Sequence, residues 1–436
     1  MDPIVILGFG TGAISAVRTI MANSKEPDIV VIEKRSFDTY SPCGMPYVVE
    51  GLSDHEELKH EFPGGNRLQK FLSSEAVKID PANRTVRIRR GEEEEEIKYS
   101  SLLLDTGSRP VVPPVPMEKS LMGRGVYTFS TPEDVDLLLD AMEDVEKVAV
   151  VGAGAIGLEL AQAFAHNNKK VFLLERMEQP LPGILDKDIG KAASKVLPDS
   201  IETMFSTPLE AVVGKDKVEA VTAAGKDIEV DAVVLSIGVA PDTSLARDAG
   251  LDVSKMGVVV DKNMRTSNPH IFAVGDCIQG TCRITGDASA TRLAPPAFVQ
   301  GRVAALNMVG QQAVYKGSAR AFVTVIGGQE FAAAGLSSSA VNGKTGKATV
   351  KRRPTYIGDQ EDVTVKLVAE ASGKIVGVQA YGPGSADIVN RIVVAMDAEM
   401  TVFDLLSMEF AYCPPVNDIF DPVMMAAEKL ARRIGG

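Results

Sequence analysis

Cysteine and histidine are scarce in this sequence, with four of each in 436 residues. Cys43, Cys277, Cys282 and Cys413 form no CxxC pair, and no histidine stands at zinc spacing from any of them. That excludes a disulfide framework and argues against a metal site. Positive charge is short as well: the formal balance is −12, and the Lys and Arg residues are scattered rather than gathered in a stripe. Such a surface repels a phosphate backbone, so no nucleic acid is expected as a partner. Long hydrophobic runs are also missing. The longest, Val148 to Ala165, carries five residues that are Gly, Glu or Gln, so no membrane span is expected. Asp2 and Pro3 lead directly into the apolar run Ile4 to Leu7 without a basic leader, so no signal peptide is expected either. These absences fit a cytoplasmic protein with reduced thiols.

What is present is an ordinary globular composition, 45% apolar and 24% charged with 39 Gly, at a length that suits about three domains. An internal repeat organises it. Ile4 to Leu7 is an apolar strand running into Gly8-Phe-Gly10-Thr11-Gly12-Ala13, and Val30-Val-Ile-Glu33 is a second strand ending in an acid. Val148 to Val151, Gly152-Ala-Gly154-Ala-Ile156-Gly157 and Val171 to Glu175 repeat the arrangement. Glycine permits the tight turn and lets backbone N–H groups approach a pyrophosphate at the positive end of the following helix. The acids, 25 and 23 residues past the first Gly of each copy, suit a ribose diol. Ala13 stands at the third-glycine position, where the pattern admits Gly or Ala.

A second pair of echoes follows. Leu102-Leu-Leu-Asp-Thr106-Gly107-Ser-Arg-Pro110 and Val233-Val-Leu-Ser-Ile-Gly238-Val-Ala-Pro241 each read as a buried strand that ends in Gly and is turned by Pro. Later, Ile271 to Val274 is a buried strand leading to Gly275 and Asp276, at the carboxyl end of a sheet where open α/β folds bind ligands.

These motifs resemble the FAD-dependent pyridine nucleotide-disulfide oxidoreductases over essentially the whole chain. The resemblance implies an α/β fold with two Rossmann-type domains, the NAD(P)H domain inserted in the FAD domain, and a C-terminal α+β dimerisation domain. The expected boundaries are 1–110 and 241–316 for the FAD domain, 111–240 for the NAD(P)H domain and 317–436 for the last. On this resemblance FAD meets Gly8, Gly10, Thr11, Gly12, Ala13, Glu33, Lys34, Val77, Thr106, Gly107, Asp276 and Ala294. NADH, with NADPH the alternative, meets Gly152, Gly154, Ile156, Gly157, Glu159, Glu175 and Gly238. The stretch Glu75 to Lys98 resembles the family's β-meander, with Glu92 to Glu96 read as a solvated turn and strand end.

Ser41-Pro42-Cys43-Gly44-Met45-Pro46-Tyr47 resembles the single-cysteine signature of coenzyme A disulfide reductases and the related NADH oxidases and persulfide reductases. A lone cysteine can exchange with a small thiol that supplies the second sulfur, provided it has thiolate character. Phe410-Ala-Tyr412-Cys413-Pro414-Pro415 resembles the family segment that carries a tyrosine across a homodimer, which implies Tyr412 as the acid beside Cys43. Cys413 reads as an ordinary small hydrophobe, with a second redox thiol as the alternative. Cys277 and Cys282 follow Asp276 and read as core or loop positions. None of His55, His60, His166 and His270 lies in the last domain, and Thr11 stands where the NADH peroxidase and oxidase branch carries a histidine, which disfavours a sulfenic-acid peroxidase.

The substrate stays open between a coenzyme A disulfide, a persulfide, a polysulfide, another small disulfide and oxygen. Coenzyme A relatives place basic residues along the first helix, whereas here Arg18 is followed by Thr19-Ile20-Met21-Ala22. No rhodanese-like extension is expected after Gly436. An electron-transfer reductase of the ferredoxin or rubredoxin type, and a non-catalytic nucleotide sensor, are the rival classes.

Overall fold

A computed structural model of the chain describes residues 2–26, 28–358 and 361–435. These fall into two compact units, one made of Met1–Val48, Ser53–Val111 and Val239–Ser318, the other of Val49–Leu52, Val112–Gly238 and Ala319–Gly436.

The first unit is built on a five-stranded parallel sheet in the order Ile271–Ala273, Ser101–Leu104, Ile4–Leu7, Ile29–Ile32, Leu68–Phe71. The central strands are buried along their whole length, as expected for a parallel sheet covered on both faces. Ile271–Ala273 completes this sheet although it lies beyond the inserted segment. The chain leaves and re-enters the unit through an antiparallel ribbon of Ser108–Pro110 with Val239–Pro241. Arg109 clamps that ribbon, donating from Nε and Nη2 to Asp242 at 2.9 and 2.8 Å.

Glu75–Asp80, Thr85–Arg90 and Glu93–Lys98 form the antiparallel meander, with a bulge between Ala76 and Lys78 that holds Val77. The glutamate run forms most of the edge strand Glu93–Lys98 rather than only its end. Glu96 pairs with Arg87 at 3.1 Å, and the exposed row of carboxylates keeps the open edge from pairing with another chain.

In the second unit the parallel sheet runs Val126–Thr128, Ala232–Leu235, Lys147–Val151, Lys170–Glu175, Ile201–Phe205. The same unit contains a five-stranded antiparallel sheet, Phe322–Ile326, Gln329–Gly335, Ile375–Tyr381, Asp362–Ala369, Lys344–Lys351. Helices Ser385–Asp397 and Pro422–Gly435 accompany it. At Gly346 a Cβ would lie 2.2 Å from the Ala426 carbonyl oxygen, so the last helix packs directly on the strand backbone. Among the described residues no helix is long and apolar enough to cross a membrane, and no cluster of three His, Cys, Asp or Glu side chains could hold a metal ion.

Candidate active site

Both glycine turns are built the same way. In the first, Gly8 takes φ +89° and donates to the Ile32 carbonyl at 2.9 Å, and the Phe9 amide donates to Glu33 Oε2 at 2.9 Å. In the second, Gly152 takes φ +104° and donates to the Leu174 carbonyl at 2.7 Å, and the Ala153 amide donates to Glu175 Oε2 at 2.8 Å. Each acid is therefore buried and aimed at the turn by the backbone it faces. Glu33 also takes Arg35 Nη2 at 2.7 Å, while Glu175 takes the Met177 amide at 2.8 Å.

The glycines are needed where they stand. A Cβ on Gly8 would meet the Asp105 carbonyl oxygen at 2.3 Å, one on Gly152 the Ser236 carbonyl oxygen at 2.5 Å, and one on Gly157 the Gly152 carbonyl oxygen at 1.9 Å. Gly154 differs: a Cβ there would have nothing within 4 Å, so its bareness leaves a surface for a ligand to approach. Gly107 and Gly238, both at positive φ, face open space in the same way.

The helix starts fit a pyrophosphate. Gly8, Phe9, Ala13 and Ile14 give their amides to Ile32, Glu33, Asp105 and Gly10. Thr11 and Gly12 are left at the N-terminus of helix Thr11–Asn23 with no partner among the described residues, the donors an anion would take. Asp276 lies at the end of this sheet and accepts from Ser108 Oγ at 2.9 Å; burial raises its pKa against the opposing pull of Ser108 and Arg292. Thr106 donates to the Asp242 carbonyl at 2.8 Å. Lys34 is exposed, and so is Ala294 at the start of helix Ala294–Met308.

On the second turn Ile156 is exposed, and Glu159 accepts from Thr324 Oγ1 at 2.9 Å, its carboxyl raised by burial. The contact to Thr324 joins helix Ala155–His166 to the antiparallel sheet, which the spacing of the motif gives no sign of.

Cys43 is exposed within the single 3-10 turn Pro42–Gly44. The short pairing of Thr39–Tyr40 with Lys59–His60 brings two histidines to this loop, contacts invisible in the sequence. Tyr40 OH lies 2.9 Å from His55 Nε2, and Ser41 Oγ 2.8 Å from His60 Nε2. Cys277 and Cys282 are buried; burial pushes the Cys277 thiol up to about 12, so it stays protonated and inert. Cys413 is exposed beside the exposed Tyr412, whose hydroxyl is hydrogen-bonded to Tyr356. That bond holds the Tyr412 pKa above its usual value. Tyr356 carries no motif, so only the fold reveals it.

Comparison with known proteins decides the family. The pyridine nucleotide-disulphide oxidoreductase model matches residues 2–301, and the dimerisation-domain model of the same family matches residues 322–423. The chain belongs to this family.

Its relatives among pyridine nucleotide-disulphide oxidoreductases include the NADH oxidase of Methanocaldococcus jannaschii, 33% identical over 445 residues and covering 99% of both chains. The CoA-dependent NAD(P)H sulfur oxidoreductase of Pyrococcus abyssi is 30% identical over 444 residues, covering 98% of both. The solved structure of an NAD-dependent persulfide reductase from A. fulgidus superimposes with a TM-score of 0.93 at 30% identity, covering all of this chain and 84% of that one. As a pyridine nucleotide-disulphide oxidoreductase, the protein is a flavoenzyme that uses FAD and NAD(P)H, with the two-Rossmann and dimerisation-domain architecture its motifs imply.

Proposed function

We propose that the enzyme reduces a small sulfur–sulfur bond, with coenzyme A as the carrier thiol, and that Cys43 is the residue through which it does so. The observation that carries this reading is the setting of the cysteines: Cys43 is exposed in a turn built from Pro42 and Gly44, Cys277 and Cys282 are buried, and Cys413, also exposed, stands beside Tyr412 rather than in such a turn. An exposed thiol that belongs to no CxxC or CxxxxC pair in the sequence suits exchange with a small thiol rather than an internal disulfide. The relatives named as CoA-dependent sulfur reductases support the substrate class. Arg18, exposed on the first helix, offers one cation to a phosphorylated carrier.

FAD is assigned to the first turn, on the Thr11 and Gly12 amides with Glu33 and Asp276, and NADH to the second, on Gly152 to Gly157 with Glu175. When bound, the two cofactors supply two electrons and a proton per turnover. The Cys43 thiolate attacks one sulfur of the substrate, forming a mixed disulfide and expelling the other sulfur as a thiolate. Tyr412, protonated at neutral pH, gives its proton to that leaving group. Two electrons supplied by the bound cofactors would reduce the mixed disulfide to the Cys43 thiolate and a second substrate thiolate, which takes the proton that accompanies the hydride, while solvent returns a proton to Tyr412.

The working unit is taken as a homodimer. Val394 and Val416, 67% and 63% exposed, and Phe420, 59% exposed, mark apolar surface on the C-terminal part that a second copy would cover. The cytoplasm, a reducing compartment, keeps Cys43 competent.

The test compares wild type with Cys43→Ser in NADH turnover against coenzyme A disulfide, polysulfide and oxygen. The variant is expected to keep FAD and still accept hydride while losing sulfur reduction. Undiminished sulfur reduction would favour an electron-transfer reductase. Oxygen as the only acceptor of the wild type would favour an NADH oxidase, the name its Methanocaldococcus relative carries.

A further inference from the structure

The two nucleotide turns differ at one buried position beneath the glycines. Asp105 and Ser236 are structural equivalents: Asp105 donates its amide to Leu7 at 2.9 Å and crowds Gly8, and Ser236 donates its amide to Val151 at 2.8 Å and crowds Gly152. The second turn therefore carries a neutral hydroxyl, buried and without a partner among the described residues, where the first carries a carboxyl.

That carboxyl is embedded in the cradle. Oδ2 accepts the Ala13 amide at 2.8 Å and lies 3.0 Å from where a Gly10 Cβ would stand; Oδ1 lies 3.2 and 2.5 Å from the corresponding points on Gly12 and Gly275. It occupies a helix N-terminal donor and borders the amides of Thr11 and Gly12 that are left for a phosphate. The charged and titratable groups around it are Glu33 from the second strand, whose Oε2 takes both the Phe9 amide and Arg35, and Asp276 and Cys277 from the turn after Ile271–Ala273, with Arg292 acting on Asp276. The neighbours acting on it directly are acids or a neutral thiol. Burial above all, opposed by the Ala13 amide and reinforced by Asp276 and Glu33, pushes Asp105 up to about 7.

The geometry points to Asp105 as a proton-linked positioning residue of the FAD site: its carboxyl takes up a proton when the FAD pyrophosphate settles on the first turn, so flavin retention weakens as pH rises. The reason is electrostatic. A pyrophosphate brings negative charge against a buried carboxyl already facing two acids, and only the neutral acid can stay there at low cost. By linkage, the form of the protein with Asp105 protonated holds FAD more tightly, and above neutrality each unit of pH reduces the share of that form. The NADH turn, with Ser236 in the same seat, has no such dependence.

This rests on FAD occupying the first turn. The test dilutes full-length holoenzyme into buffers from pH 6 to 9 and measures released FAD by its fluorescence, a readout independent of turnover. In wild type the dissociation constant is expected to rise above pH 7 with a slope approaching tenfold per pH unit. In Asp105→Asn, which keeps shape and hydrogen bonding, it should stay flat within about twofold and be tighter than wild type at pH 9. Asp105→Ser, the residue of the second turn, should behave the same way and covers the case in which the amide side chain misfolds. Calorimetry in buffers of different ionisation enthalpy should show proton uptake with FAD in wild type alone. An unchanged pH slope in both variants, or flat retention in wild type, would overturn the proposal while leaving the FAD assignment intact. Absence of bound flavin at every pH would remove that assignment and the proposal together.

Discussion

Lys366 reaches Asp186 at 2.7 Å with both side chains buried, and so ties the antiparallel sheet to the segment preceding helix Lys187–Lys195 of the same unit. Asp186 also accepts the Ser338 amide at 3.0 Å, and its own amide donates to Gln379 at 2.8 Å. A second acid, Asp188, receives Lys366 and Lys347, both at 2.8 Å.

Lys366→Met strands a buried carboxylate at Asp186. The expected loss is about 3 kcal/mol of stability, because removing one partner of a buried pair leaves the other charge uncompensated. Chemical denaturation of the variant measures it, and a loss below about 1 kcal/mol would mean that water already relieves the pair.

Asp188 adds a pH dependence. Burial pushes its carboxyl up, but Lys347 and Lys366 outweigh burial and hold it below its ordinary 3.8. A depressed folded value favours the native state above the unfolded value and ceases to do so as pH falls through the folded one. Wild type should therefore melt higher than Asp188→Asn at pH 6 to 8, with the gap closing below about pH 4.

Gly154 and Gly157 should fail differently when replaced by Ala. The Gly157 Cβ would stand 1.9 Å from a carbonyl oxygen, whereas the Gly154 Cβ meets nothing within 4 Å. Gly157→Ala is expected to lower the melting temperature. Gly154→Ala should fold normally and raise KM for NADH, since its methyl group takes the space a dinucleotide would use. Equal melting temperatures of the two variants would contradict this reading.

Glu175 should make NADH the preferred coenzyme, since its carboxylate can accept from a 2′-hydroxyl and repels a 2′-phosphate. A preference of roughly tenfold or more in kcat/KM is expected from one charged hydrogen bond. Glu175→Gln, which keeps an acceptor for the Ala153 amide, should narrow it. Exposed Arg176 beside it could hold a 2′-phosphate instead, and faster turnover with NADPH in wild type would show that it does.

Tyr412→Phe removes only a hydroxyl and should slow the step after flavin reduction by roughly 100-fold, leaving hydride transfer intact. If Tyr412 of one protomer serves Cys43 of the other, mixing Cys43→Ser with Tyr412→Phe chains puts both lesions in one site and leaves the second site whole. Activity should return on subunit exchange. Continued inactivity after proven exchange would rule out a shared site.

The sequence by itself determined the parts whose chemistry is local. The turns at Gly8 and Gly152, the acids Glu33 and Glu175 at the ends of the following strands, and Cys43 between Pro42 and Gly44 were all legible, because each depends on a few neighbouring residues and on strand and helix periodicity. The sequence repeat also carried the two-domain plan. Only the tertiary structure decided what lies beneath and beside those motifs. Parallel pairing of Ser101–Leu104 with Ile4–Leu7 carries Asp105 under a turn some 90 residues away, and the Thr39–Tyr40 pairing with Lys59–His60 brings two histidines to the cysteine loop. Tyr356 against Tyr412, Thr324 on Glu159 and Lys366 on Asp186 join segments with no shared motif. Such pairs follow from sheet order and register, which arise from burial summed over whole strands, and no local pattern of residues encodes them.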